Sequence, residues 1–218
     1  VVMGVGYNPR IVTDGLVLCL DAANKRSYPG TGTTWTDKVG GNNGTLTNGP
    51  TFSSDNGGSL VFDGSNDYVN ITTLSKSADC TFSFWASLVD VTAQRMLFNA
   101  GNSGSGPDLF FAYGQILWNI WDSGNNPFAD MPSSATDGKL HNYVVVNDSS
   151  SSAKLYYDGL LLGTATYRSA TATTKLSIGG NYGGYPWRGK ISGCMVHNRA
   201  LTSEEVRQNF EATKGRYA

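Results

Sequence analysis

Carboxylates are the residues in this chain best able to do chemistry, and their placement argues against catalysis. Only three of the seventeen acidic residues are glutamates, Glu204, Glu205 and Glu211, and all lie close together near the C-terminus. Hydrolysis by paired carboxyl groups needs both to face one scissile bond, with one held protonated. The aspartates offer no such pair. Asp63 and Asp67 flank a Gly-Ser-Asn turn, where a carboxylate caps its own backbone. Asp158 sits in an Asp-Gly turn, and Asp21, Asp37, Asp122, Asp130 and Asp137 begin or end loops. His141 and His197 stand singly, without a Ser–His–Asp arrangement. No catalytic residue is assigned, and the chain is expected not to be an enzyme.

Metal and thiol chemistry read the same way. Cys19, Cys80 and Cys194 each sit in or beside an apolar, strand-like run. No CxxC pair or Cys/His cluster is present, so a zinc site is not expected. Buried free thiols are the expectation, with a Cys19–Cys194 disulfide as the alternative.

Binding chemistry is better represented. Sugars are held by aromatic faces beside amides and carboxylates. Two segments carry that combination. In Gln115–Asp122, alternation places Trp118 with Ile116 and Ile120 as core, and leaves Trp121 with Asn119 on the other face, next to a polar loop. In the Gly-rich stretch 181–188, Asn181, Tyr182, Tyr185 and Trp187 cluster beside Arg188. Its glycines resist ordering, so at least two of its three rings are expected at a contact surface, with Trp187 the one closest to the core. The candidate ligand-binding residues are therefore Trp121, Asn119, Asn181, Tyr182, Tyr185 and Trp187.

The elements that must position these residues are short and numerous. About a dozen strand-like runs recur between turn signals: Leu16–Leu20, Ser59–Phe62, Tyr68–Ile71, Thr81–Val89, Met96–Asn99, Leu109–Tyr113, Ile116–Trp121, His141–Asn147, Ala153–Tyr157, Leu160–Thr164, Lys175–Ile178 and Gly189–His197. In Thr81–Val89, Phe82, Phe84, Ala86 and Leu88 take one face and Thr81, Ser83, Trp85 and Ser87 the other. Asp158-Gly159 marks a tight hairpin, and Tyr113-Gly114 a second. Residues 27–56, 101–108, 122–137 and 179–186 read as loops, with Trp35 the one large apolar anchor of the first. One helix is predicted at 202–218, opened by a Thr202–Glu205 capping box, stapled by Leu201 and Val206, striped by Val206 and Phe210, and closed by Gly215. The predicted organisation is an N-terminal arm over 1–13, one sandwich over 14–201 and the helix packed on it.

Composition excludes several partners. Only 15% of residues are charged and the formal net charge is −1, which leaves no electrostatic footprint for nucleic acid or anionic lipid. No apolar run is long enough to span a bilayer. The first residues, Val1-Val2-Met3-Gly4, have neither the basic nor the apolar region of a signal peptide.

Five segments, in order, resemble the laminin-G-like, concanavalin A-like lectin/glucanase superfamily. They are Gly15–Asn24, Leu60–Val69 (similar to "FDG-x-x-DYV"), Thr81–Trp85 (similar to "FTISFW"), Lys154–Gly159 (similar to "LYVDG") and Gly189–Glu205 with its Asn198-Arg199-Ala200-Leu201. The resemblance implies an all-β, two-sheet antiparallel jelly-roll sandwich with one short C-terminal helix. It also implies lectin-like carbohydrate binding, and allows a structural Ca2+ near the first and last strands with Asp21 as a ligand; no other cofactor is expected. Ser192 stands where the family pattern has an aspartate, which puts that ion site in doubt. The glucanase branch carries its catalytic glutamates on one strand, and no glutamate here precedes residue 204. Residues 13–37 and 44–52 further resemble domains in virion proteins of tailed bacteriophages. That implies a virion-surface, extracellular structural or decoration protein, homo-oligomeric, contacting other virion proteins and host-surface carbohydrate. A dedicated carbohydrate-binding adhesin is the alternative, and a glycoside hydrolase the remote one.

Overall fold

A computed structural model of the chain describes residues 9–101, 107–119, 126–167, 174–180 and 184–217. Among the described residues sixteen strands, numbered in chain order, make two antiparallel sheets. Sheet A runs β14 (Leu160–Ala165), β13 (Ala153–Tyr157), β12 (His141–Asn147), β7 (Cys80–Leu88), β16 (Arg188–His197), β5 (Ser59–Asp63), β4 (Thr51–Ser53). β1 (Leu16–Asp21) pairs with the second half of β16. Sheet B runs β11 (Pro127–Asp130), β10 (Gln115–Asn119), β9 (Asp108–Ala112), β8 (Arg95–Asn99), β15 (Leu176–Ile178), β6 (Tyr68–Ile71), β3 (Gly44–Thr47), β2 (Thr34–Trp35). The expected two-sheet sandwich with a C-terminal helix is what forms.

The core lies between the sheets and follows the two-residue period of the strands. Cys80, Phe82, Phe84, Ala86 and Leu88 of β7 point into it, and Phe98 stacks on both Phe82 and Phe84, at 4.6 and 5.0 Å between centroids. The opposite face of β7 is buried too, because helix α1 (Ser203–Tyr217) lies across it. Trp85 stacks on Phe210, meets the Tyr217 ring at a tilt and donates its indole N–H to Thr213 Oγ1 at 3.0 Å.

All twelve predicted strands are present. β2, β3, β4 and β11 form in segments whose sequence reads as loop, since runs of two to four residues are too short to display a period. Both predicted hairpins turn through left-handed pairs, Asp158-Gly159 at φ 49° and 77° and Tyr113-Gly114 at 55° and 75°. The capping box closes as expected: Glu205 N–H donates to Thr202 Oγ1 at 3.3 Å, and Thr202 N–H to Glu205 Oε2 at 2.9 Å. Gly215 does not end the helix. The helix continues to Tyr217, whose hydroxyl donates to Asp21 Oδ1 at 2.9 Å, so docking of the last turn overrides the glycine stop.

Two further expectations are sharpened. The end of the predicted arm belongs to the domain: Val12 is buried, its N–H donates to Asn209 Oδ1 at 2.7 Å, and its carbonyl accepts from His197 Nε2 at 3.0 Å. Val1–Asn8 lie outside the described residues. All three cysteines are free. Cys194 faces Leu20 across the ladder and lies in the core with it. Cys19 faces Met195, one step along, so its thiol is on the opposite face and the alternative disulfide cannot close.

Candidate binding face

The outer face of sheet B carries a polar row that crosses five strands. Thr45, Asn70, Ser177, Asn99 and Asp108 are successive register partners, and residues directly opposite in antiparallel pairs project to the same side. One step along each strand, Leu46, Val69, Ile178, Phe98, Leu109 and Trp118 form the matching row on the inner side, and all six belong to the core. The polar row grades from exposed Thr45 through half-buried Asn70 to Ser177, Asn99 and Asp108, which are closed off from solvent. Beside it, Met96, Phe110 and Leu117 line up as an outer apolar cluster. Half-buried Tyr68 stands on the same face, two residues from Asn70.

The two segments singled out in the sequence reach this one face. Asn119 is the register partner of Asp108. Tyr185 meets Phe110, two residues beyond Asp108 on β9, edge-on at 5.0 Å, and its carbonyl accepts from Met96 N–H at 2.9 Å. Trp121, Asn181 and Tyr182 lie outside the described residues. Trp187 is corrected: it is fully buried, edge-on to Phe111 at 5.2 Å, with its indole N–H donated to the Ser87 carbonyl at 3.1 Å. It stands immediately before β16, against the interior of the sandwich, and an aromatic there is core rather than contact surface.

Asp108 is the site residue the sequence reading missed. Burial pushes its carboxyl up to about 8, against the opposing effect of the Asn99 amide that donates to it. It is therefore neutral at pH 7 and can donate a hydrogen bond as well as accept one. Its only sequence signal is its place two residues before Phe110; the row itself is a product of cross-strand register. A carboxylate partner for hydrolysis is remote. Among the described residues of these strands, the other acid on this side of the sheet is Asp130, two strands away. Strand geometry separates the two by roughly 16 Å, against about 5–10 Å for a hydrolytic pair.

The remaining polar candidates have structural partners. Asp21 accepts from Ala23 N–H at 3.0 Å and Tyr217 and pairs with Arg216 at 2.7 Å, while Ser192 bonds Ser59 Oγ at 2.5 Å. A Ca2+ ion at Asp21 would have to displace Arg216. Among the described residues, no group of three or more His, Cys, Asp or Glu side chains is placed to hold a metal. Asp37 gathers four backbone N–H groups, from Cys19, Val39, Gly40 and Asn42, and so shapes the loop that follows β2. His141 is not isolated. Its Nδ1 lies 2.7 Å from Asp158 and its Nε2 3.2 Å from Asp137, and its ring stacks on Tyr157 at 4.8 Å. Both nitrogens face carboxylates, so this is a clamp between two turns rather than a catalytic triad.

Residues 63–207 match the family described as the Concanavalin A-like lectin/glucanases superfamily. No match is found among curated proteins. Domain 4 of AbnA, a GH43 extracellular arabinanase from Geobacillus stearothermophilus solved with arabinotriose, is similar over 89% of this chain and 97% of that one. The identity is 17% and the TM-score 0.71. The binding domain of botulinum neurotoxin serotype D is similar over 92% of this chain and 52% of its own, at 15% identity and a TM-score of 0.70. Trypanosoma rangeli sialidase is similar over 94% of this chain and 34% of its own, at 18% identity and a TM-score of 0.69. The chain thus spans about half of the toxin domain and a third of the sialidase, and at these identities the likeness is one of fold.

Proposed function

Because the chain belongs to the concanavalin A-like lectin/glucanases superfamily, we propose that it is a non-catalytic carbohydrate-binding sandwich whose sugar lies on the outer face of sheet B. The observation that carries this reading is the conjunction on one face of half-buried Tyr68, Asn70 and Tyr185 with exposed Thr45, above the closed floor of Ser177, Asn99 and Asp108. Aromatic rings meet sugar C–H faces and the amide and hydroxyls meet sugar hydroxyls. With Asp108 neutral, this described part of the face presents no charge, which favours uncharged polysaccharide. Among the described residues of these strands no second carboxyl comes within reach of Asp108, which supports the non-catalytic part of the reading.

The test is affinity electrophoresis and calorimetry against a panel of neutral polysaccharides. The wild type binds at least one. Asn70→Ala and Tyr68→Ala each weaken binding about tenfold, the loss of roughly one hydrogen bond or one ring contact, and leave melting unchanged. Binding indifferent to both changes, or sustained release of reducing sugar, overturns the proposal. The setting we assign is the surface of a larger repeated assembly of the tailed-phage virion type. It is supported by the resemblance of residues 13–37 and 44–52, and recovery of the protein in purified particles would test it.

A further inference from the structure

His197 is wholly buried at the end of β16, on the outer side of sheet A, under the segment that leads into β1. Its strand is fixed on both flanks, since His197 faces Thr81 of β7 and Leu16 of β1. The ring has one partner. Nε2 donates to the Val12 carbonyl at 3.0 Å, and a carbonyl can only accept, so Nε2 carries the proton and Nδ1 is a bare lone pair. Among the described residues Nδ1 has no hydrogen-bond partner, and it is closed off from solvent. A second proton there would create a buried donor with no acceptor. Burial accordingly holds this imidazole below its ordinary value, against the raising effect of the Val12 carbonyl.

The charged groups around the ring do not reverse that preference. Arg199, two residues beyond it, opposes protonation, while Glu205 of α1 and Asp14 of the entering segment favour it. Both carboxylates are engaged by Arg199, at 2.6 and 2.8 Å. β7 and β1 present Thr81 and Leu16, which carry no charge. The covering segment is the part able to yield. His197 cannot move without breaking two ladders. Residues 9–13 are held by the Val12–His197 bond, by Val12 N–H on Asn209 Oδ1 at 2.7 Å, by the Arg10 carbonyl on Gln208 at 2.8 Å and by the buried Val12 side chain. We propose that His197 is an acid-sensitive latch: taking up a proton, it releases residues 9–13 from sheet A and uncovers the apolar patch of Val144, Val146, Leu201 and Val206 that Val12 closes. The sign follows from the burial. The latched ring takes a proton less readily than the released one, whose ordinary value is 6.5. The latch is at full strength above about pH 6.5 and weakens below it, by up to about tenfold per unit, until the latched ring itself protonates.

Amide hydrogen exchange of the full chain, corrected for the intrinsic rate and followed by NMR from pH 7.5 to 5, reads the latch at the Val12 N–H. Its protection should fall about tenfold between pH 6.5 and pH 5, and the His197 ring resonances should titrate in step with it. Val12 should be less protected than Phe84 in the middle of β7 at every pH, the sign of a local opening. His197→Gln keeps a donor for the Val12 carbonyl and removes the titrating group, so Val12 protection becomes flat with pH. If that variant does not fold, the ring titration of the unmodified protein still decides. Val12 protection that is constant down to pH 5, that equals that of Phe84 throughout, or that falls out of step with the His197 ring overturns the latch. The same pH dependence in a folded His197→Gln also overturns it.

Discussion

At the scale of single residues, Asp108 has the most testable chemistry. An unfolded aspartate ionises near 3.8, whereas the folded one is pushed up to about 8 by burial. Between those values the native state holds a proton that the unfolded chain has lost. Stability from this group is therefore full below about pH 4 and is lost as pH rises toward about 8, by up to about 1.4 kcal/mol per unit. Asp108→Asn keeps an acceptor for Asn99 and removes the titration. Melting temperatures of the two proteins, measured from pH 5 to 8.5, should diverge in the variant's favour as pH rises. A constant difference would exclude a buried ionisable group. Trp35, Trp118 and Trp187 are all closed off, which the alternation around Trp118 predicts and the Gly-rich surroundings of Trp187 do not.

Among the elements, α1 is the one whose sequence signals act together. Arg199 grips Glu205 with both guanidinium nitrogens, at 2.8 and 2.6 Å, while Glu205 completes the capping box with Thr202. The Asn-Arg-Ala-Leu segment thus aims the helix as well as starting it: Thr81 Oγ1 accepts from Leu201 N–H at 3.0 Å, tying the junction to β7. Thr202→Ala should cost about 1 kcal/mol, read as a fall of about 2–4 °C in melting temperature for a chain of this size. The Arg199 pairing holds the Glu205 carboxyl down at about 2. Its contribution is present above the ordinary glutamate range and is lost as pH falls toward 2. The melting deficit of Glu205→Gln should accordingly be larger at pH 7 than at pH 2.5; equal deficits would mean that Arg199 does not hold the carboxylate in the folded state.

At the scale of the whole molecule, closure of the sandwich depends on both ends of the chain. Val12, Leu201 and Val206 share a cluster with Val144, Val146 and Tyr156 on the outer side of sheet A, and Gln208 holds the Arg10 carbonyl at 2.8 Å. Truncation is therefore expected to act in two steps. Removing Val1–Asn8 should leave melting within a degree or two, and should reduce self-association if the arm is an assembly element. Removing residues 1–13 strips Val12 and its two hydrogen bonds and should lower stability by about 2–4 kcal/mol. Calorimetry and light scattering on both truncations separate the roles. Equal stability of the two would show that the segment from Pro9 contributes nothing to the fold, and unchanged association would remove the assembly role.

Local rules were enough to read much of this protein from its sequence. The alternation of Phe82, Phe84, Ala86 and Leu88, the Asp158-Gly159 turn and the Thr202–Glu205 box each act within a few residues, and each forms as the sequence predicts. Trp118 could be assigned to the core by the same reasoning. Strands β2 and β3 escaped because two to four residues give no period to detect. The binding face belongs to the tertiary structure, because Thr45, Asn70, Ser177, Asn99 and Asp108 come from five strands, and only register sets them in a row. A one-residue slip in any strand would turn its member into the core. Trp187 likewise could not be placed by composition, since a tryptophan at a Gly-rich loop end serves contact or core according to which sheet face lies beneath it, and here the inner face of the sandwich does.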